Sequence, residues 1–175
     1  MNLVNFTKHF SEKNQGSHRD TFVLSSVVHP LREPPLSDQD RDNFAHLISM
    51  TKKDAISTCG LLSTSDLNQG LWLANLAEKT QKNVLLLTST FINNISKTYL
   101  AELYANIHRY NALVFFAQAD ALVEGNCSYA DTSEQIDLDL LFKIINGASC
   151  LTIFALHEQQ NALRLKARQV TVISL

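Results

Sequence analysis

The chain reads as an α/β protein, a three-layer αβα sandwich built on a mostly parallel five-stranded sheet, and three observations predict this. Two apolar runs, Val84-Leu85-Leu86-Leu87 and Leu113-Val114-Phe115-Phe116, lack polar alternation, as strands covered on both faces do. From residue 55 onward, strand-like runs alternate with segments of helical spacing, which calls for parallel strands joined by crossover helices. A hydrophobic fraction of 45% in 175 residues supplies one sizeable core.

The elements follow in order. Residues 1–20 are polar, carry Gly16 and Ser17 and hold no sustained period, so they are expected to form a flexible arm, with residues 21–175 as a single domain. Thr21 to His29 is a β-rich run stopped by Pro30, Pro34 and Pro35. Ser37 is the expected N-cap of a helix reaching about Lys53, with Phe44, Leu47, Ile48 and Thr51 on one face. Ala55 to Leu62 then reads as a buried strand, Leu71 to Lys79 as a helix and Val84 to Thr88 as a strand. Ile95, Tyr99, Leu103 and Ile107 recur at helical spacing in a helix from about Ile95 to Tyr110, and Ala112 to Phe116 is the third strand. After a polar loop, Ser133 to Asn146 is a helix closed by Gly147, with Glu134, Asp137 and Asp139 as favourable charge near its start. Leu151 to Ala155 is a strand, Gln159 to Ala167 a short helix and Val170 to Leu175 the last strand.

Composition removes several function classes. No segment approaches the roughly 18 to 20 apolar residues of a membrane span. Net charge is −2 with a pI near 6.3 and the 15 basic residues are scattered, so no direct nucleic-acid binding is expected. The start, MNLVNFTKHFSEKN, lacks the apolar stretch and cleavage site of a secretory signal, which favours the cytoplasm. Cys59, Cys127 and Cys150 are far apart, and the six histidines (His9, His18, His29, His46, His108, His157) show no paired spacing, so no metal site is expected. A thiol and base pair from Cys59 or Cys127 with His157 lacks the Gly-rich elbow that would accompany a nucleophile.

Four stretches carry a further likeness. Gly60 to Ala77 has the form of a strand, a loop and a helix, and Phe115-Phe116-Ala117-Gln118-Ala119-Asp120-Ala121-Leu122 is an apolar strand leading into a polar turn. Ile136 to Asn161 runs helix, turn, strand, and Arg164 to Leu175 is a basic segment followed by a strand. In wording and order these resemble the nucleotide-binding core of AAA-type ATPases, a branch of the P-loop NTPase fold, over about Ala55 to Leu175.

The resemblance implies roles for specific positions, and most are altered. The family loop reads G-x-x-x-x-G-K-[ST]; laid over it without gaps, Ser63 takes the first Gly, Asn68 the second, Gln69 the Lys and Gly70 the Mg²⁺-binding hydroxyl, while Asp66 adds a carboxylate beside the place of an anion. Ala117 and Gln118 stand where the Mg²⁺-binding Asp and the water-activating Glu would be. His157 replaces the polar sensor Asn, although a one-residue slip puts Glu158 there, and Asn161 falls on an Asn familiar in the family. Arg164, Lys166 and Arg168 are candidates for the basic residue offered to a neighbouring subunit. Only a few residues separate Thr88 from Ile95, so the pore loop that grips substrates reads as shortened; the sequence stops at the last core strand, so the helical lid is expected to be absent and substrate threading is not expected.

Plainer structural roles stand beside these. His157 is a polar residue at a strand exit, Asp120 caps the next turn or helix, Trp72 packs its helix on the sheet or anchors an interface, and Arg164, Lys166 and Arg168 form a solvated face or meet an acidic partner. The expected function is that of a non-catalytic AAA-like domain, not an enzyme, with no cofactor, acting as an interaction or regulatory module. Its partner would be an active AAA-type ATPase, a larger assembly or a second copy. The alternative is a sensor that binds ATP or ADP without hydrolysis through the helix N–H groups near Gly70. An unrelated enzyme on a parallel α/β sheet would require a cluster of convergent titratable groups that the sequence does not display.

Overall fold

The computed structural model describes residues 36–88, 96–125 and 137–175. Their elements, in chain order, are α1 (Asp38–Lys52), β1 (Thr58–Leu62), α2 (Asp66–Thr80), β2 (Asn83–Thr88), α3 (Lys97–Ile107), β3 (Ala112–Ala117), α4 (Asp120–Glu124), α5 (Leu138–Asn146), β4 (Thr152–Leu156), α6 (Gln159–Ala167) and β5 (Thr171–Ser174). The five strands form one sheet in the order β2-β3-β4-β1-β5, with every pair parallel. The α/β three-layer sandwich is therefore present.

The lack of alternation in the strands has a direct cause. In β3, Val114 and Phe116 point into one buried layer with Leu103, Tyr104 and Leu141, while Leu113 and Phe115 point into the other with Phe44, Trp72 and Leu76. The same division places Leu85 and Leu87 of β2 and Phe154 and Leu156 of β4 on the first side, and Val84 and Ile153 on the second. Side chains do alternate with period two, but both faces are dry, so both sets are apolar. Residues of α3, α4, α5 and α6 cover one face and residues of α1 and α2 the other. Phe116 and Phe154 stack at 5.4 Å across neighbouring strands, and Phe44 of α1 meets Trp72 of α2 at 5.1 Å.

Helix starts follow local chemistry. Ser37, Ser65, Ser96 and Asp137 each accept a hydrogen bond from a first-turn N–H, satisfying donors that an α-helix leaves unpaired. The expected face of α1 is present, with Phe44, Leu47 and Thr51 buried. Gly60 fills a tight place: a Cβ there would lie 2.8 Å from Val172 Cγ2 and 3.2 Å from Leu165 Cδ1, so its bare Cα lets α6 and β5 close on β1. At the far side, β5 pairs with β1 through the Leu175 N–H to the Leu62 carbonyl at 2.9 Å, and the preceding Ser174 N–H donates to Asp40 Oδ1 of α1 at 3.3 Å.

Several boundaries differ from expectation. β1 begins at Thr58 rather than Ala55, and α2 begins at Asp66 rather than Leu71, because Ser65 caps it immediately after the strand. α3 gives way to a single 3-10 turn at His108–Tyr110 before β3. Asp120 opens the short helix α4 but does not cap it: the N-cap position falls on Ala119, which has no side-chain acceptor, and the Asp120 carboxylate is bonded elsewhere. The helix expected from Ser133 begins instead at Leu138, because Asp137 is extended and caps it. The arm at 1–20, the boundary at residue 21, the run Thr21 to His29, the loop between Thr88 and Ile95, Cys127 and Glu134 lie outside the described residues. Among the described residues no helix is long and apolar enough to cross a membrane.

Candidate functional site

Parallel sheets direct the C-terminal ends of all their strands to one edge, and here that edge gathers the polar side chains singled out in the sequence. β1 ends at Leu62 and only residues 63–65 precede α2. Two of their backbone donors are turned inward: the Ser63 N–H bonds the Leu156 carbonyl at 2.9 Å and the Ser65 N–H bonds Ser63 Oγ at 3.1 Å. In the first turn, the Asn68 N–H bonds Ser65 Oγ at 3.4 Å and the Gln69 N–H bonds the Ser65 carbonyl at 3.1 Å. The Gln69 side chain is buried, and its amide donates to the carbonyls of Ser63 (3.3 Å) and Leu156 (2.9 Å), joining β1 to the end of β4. Asn68 is half-buried, and Gly70 is exposed with open space beyond its Cα.

β4 exits through His157, whose ring lies between two carboxylates. Nε2 is 2.8 Å from Asp66 Oδ1 in the first turn of α2, and Nδ1 is 3.3 Å from Asp120 Oδ2 at the start of α4. Asp120 is the hub of the cluster. It accepts the backbone N–H of His157 (2.9 Å) and of Glu158 (3.2 Å) and the side-chain amide of Asn161 (3.0 Å); the same amide reaches Glu124 Oε1 at 2.9 Å. Burial alone would raise the Asp120 pKa, but the bonds from Asn161, His157 and Glu158 outweigh it and hold the carboxyl below the usual range. The imidazole shows the opposite balance: burial would lower its pKa, while the hydrogen bonds and charges of Asp66 and Asp120 prevail and raise it. Asn161 Oδ1 is buried with no hydrogen-bond partner among the described residues.

The other positions named from the sequence separate into those near this edge and those away from it. Ala117 is half-buried at the end of β3, and Gln118 is exposed in a left-handed conformation (φ 53°) that turns the chain into α4. Trp72 is fully buried against Phe44, so as an interface anchor it is corrected: it offers no surface, and its Nε1 has no partner among the described residues. Arg168 is not a purely solvated group, because it bonds Asp139 of α5 and lies over the Phe142 ring at 5.7 Å. Arg164 and Lys166 are exposed on α6. Cys59 is fully buried and desolvation pushes its thiol up to about 12, which removes it as a nucleophile. Among the described residues no three His, Cys, Asp or Glu side chains are grouped to hold a metal.

Sequence reading placed Asp66 and His157 at this edge but missed Asp120 as the hub and Glu124 as a member. What the cluster offers chemically is three carboxylates, one imidazole and one amide, a set suited to exchanging protons and to repelling anions.

No family model matches the chain and no curated protein matches it. Its fold does match solved structures. One is a chain of katanin, an AAA ATPase, from work on the structural basis of katanin self-assembly, with a TM-score of 0.56 at 14% identity over 81% of this chain and 51% of the katanin chain. The present chain thus spans about half the length of that katanin chain. Its fold is that of an AAA-like α/β core.

Proposed function

We propose that this chain is a non-catalytic AAA-like domain that works by binding protein, with nucleotide turnover lost. The observation that supports it most is the closed start of α2: only three residues separate β1 from the helix, and the N–H groups of Ser63, Ser65, Asn68 and Gln69 are bonded within the chain. A phosphate-binding loop needs successive N–H groups aimed outward at phosphate oxygens and a cation beside them. In this reading Gln69 stands at the cation's position and spends its amide on two carbonyls, and Asp66 brings a negative charge to the mouth of the crevice. Two like charges about 4 Å apart repel by roughly 4 kcal/mol at an effective dielectric near 20. Ala117 and Gln118 offer neither a Mg²⁺ ligand nor a carboxylate to orient water.

The partner in this proposal is an AAA-type ATPase or a second copy of the chain. The katanin likeness favours the second class by analogy, since that structure concerns self-assembly. Sedimentation velocity across protein concentrations separates the two, because only self-association makes the sedimentation coefficient concentration-dependent in the pure protein.

The test of the central claim is calorimetric titration of the full chain with ATP and Mg²⁺, run beside a melting-temperature panel and a phosphate-release assay. A ligand of the folded state stabilises by RT ln(1 + [L]/Kd), so the expected result at millimolar nucleotide is no shift in melting temperature and no released phosphate. A shift without phosphate release would replace the proposal with the nucleotide-sensor reading. Sustained turnover would end it.

A further inference from the structure

The carboxylates around His157 meet an imidazole that can hold one proton or two. We propose that His157 is a proton-operated clasp: as imidazolium it ties the first turn of α2 to the β3–α4 junction through Asp66 and Asp120, and on losing a proton it releases Asp66 and loosens that turn. The proposal concerns the same strand-end cluster and rests on its hydrogen-bond geometry. Nucleotide turnover would overturn the functional reading and leave the clasp standing.

A neutral imidazole carries one N–H, and its other ring nitrogen presents a lone pair. Both nitrogens of His157 face carboxylate oxygens, Asp66 Oδ1 at 2.8 Å and Asp120 Oδ2 at 3.3 Å. An ionised carboxylate only accepts, so both contacts are bonds only when both nitrogens are protonated. Asp120 is held in its charged form by the His157 and Glu158 N–H groups and the Asn161 amide, and its bonds fix it in place.

The two carboxylates differ in freedom, and this decides which contact breaks. Asp120 is 17% exposed and anchored by three other donors, whereas Asp66 is 75% exposed at the very start of a helix and can turn to water. The neutral ring therefore keeps its N–H on Nδ1 toward Asp120, and Asp66 leaves. Among the described residues, the titratable groups around the ring are Asp66 from α2, Asp120 from α4, Glu124 of α4 through Asn161, and Glu158, the next residue in the chain. All are carboxylates, so each favours the charged ring. A His whose folded pKa is raised stabilises the fold fully below the unfolded value of about 6.5, and this contribution fades as pH rises through the higher folded value. The clasp is closed on the acid side and open on the alkaline side.

The experiment uses ¹⁵N-labelled full chain, following histidine ring nitrogens by long-range proton–nitrogen spectra from about pH 5.5 to about pH 9, with amide hydrogen exchange of Asp66 to Gln69 over the same range. The expected result is doubly protonated His157 at the acid end, a midpoint above 6.5 and an Nδ1–H tautomer at the alkaline end. Protection of the Asn68 and Gln69 amides, which are bonded to Ser65, is expected to fall severalfold across that midpoint after correction for the intrinsic pH dependence of exchange. Asp66→Asn keeps the exposed position polar and the Ser65 cap intact, and it should lower the midpoint and remove the step in protection. His157→Gln should also remove the step. The proposal is overturned by a wild-type midpoint at or below 6.5, by a midpoint that Asp66→Asn does not move, or by an alkaline tautomer with its proton on Nε2.

Discussion

The two ends of the sheet are held together by different chemistry. At the N-terminal end of the strands the ties are mostly neutral: Asn83 donates its amide to the Tyr110 carbonyl at 2.7 Å, Asn111 to the Gln81 carbonyl at 3.0 Å, and the Ser57 hydroxyl to Asn146 Oδ1 at 2.9 Å. One ion pair, Lys82 with Asp54 at 2.7 Å, completes that set among the described residues. The C-terminal end has a neutral tie in the Gln69 amide, and beside it the Asp66–His157–Asp120–Asn161–Glu124 chain, in which most members titrate. The difference separates a scaffold end, whose hydrogen bonds hold over a wide pH range, from an end whose integrity depends on protons. Ligand chemistry in open α/β folds concentrates at the second.

The strongest way to break this contrast is Asp120→Ala. It leaves the N–H groups of His157 and Glu158 and the Asn161 amide without their acceptor at a partly buried place, and unpaired donors cost about 1–3 kcal/mol each, so a loss of about 3 kcal/mol in urea unfolding at neutral pH is expected. Because the folded pKa of Asp120 lies below its usual value of 3.8, the wild-type advantage should be complete above that value and shrink as pH falls through the folded one. Asn83→Ala at the opposite end should cost about 1 kcal/mol, and by the same amount at about pH 6 and about pH 9, since no titrating group takes part. A pH-dependent loss there would erase the distinction between the ends. The smallest effect is expected for Gln118→Gly. Relief of the left-handed backbone opposes the greater freedom of glycine in the unfolded chain, which leaves a stabilisation of about 0.5 kcal/mol by thermal melting. A destabilisation beyond about 1 kcal/mol would assign the Gln118 side chain a bonding role at the reactive end.

The framework was legible in the sequence because its causes are local. Val84 to Leu87 and Leu113 to Phe116 advertise strands with two dry faces, and Ser37 followed by Phe44, Leu47 and Thr51 advertises a capped amphipathic helix. The start of α2 was also legible, since Ser65 followed by Asp66 is an N-cap with favourable charge in the first turn. Overlaying a phosphate loop on residues 63–70 hid that signal. The clasp was not legible: His157 meets Asp66 and Asp120 across 91 and 37 residues, and only the sheet order brings those three strand ends side by side. Glu124 lies one helical turn beyond Asp120 on α4, a spacing that hinted at a shared face but could not name Asn161 as what joins them. Arg168 looked like a solvent cation because neither Phe142 nor Asp139 is near it in sequence.

The Asp40 carboxylate on the Ser174 N–H has an effect at high protein concentration. Strand β5 borders the sheet, and Ser174 directs its amide away from β1, toward the place where an intruding polypeptide would begin to zip on. Asp40 occupies that donor and puts a negative charge beside it, as the lysines and inward charges of other border strands do in resisting cross-β stacking. Copies that meet along this flank find that donor already taken.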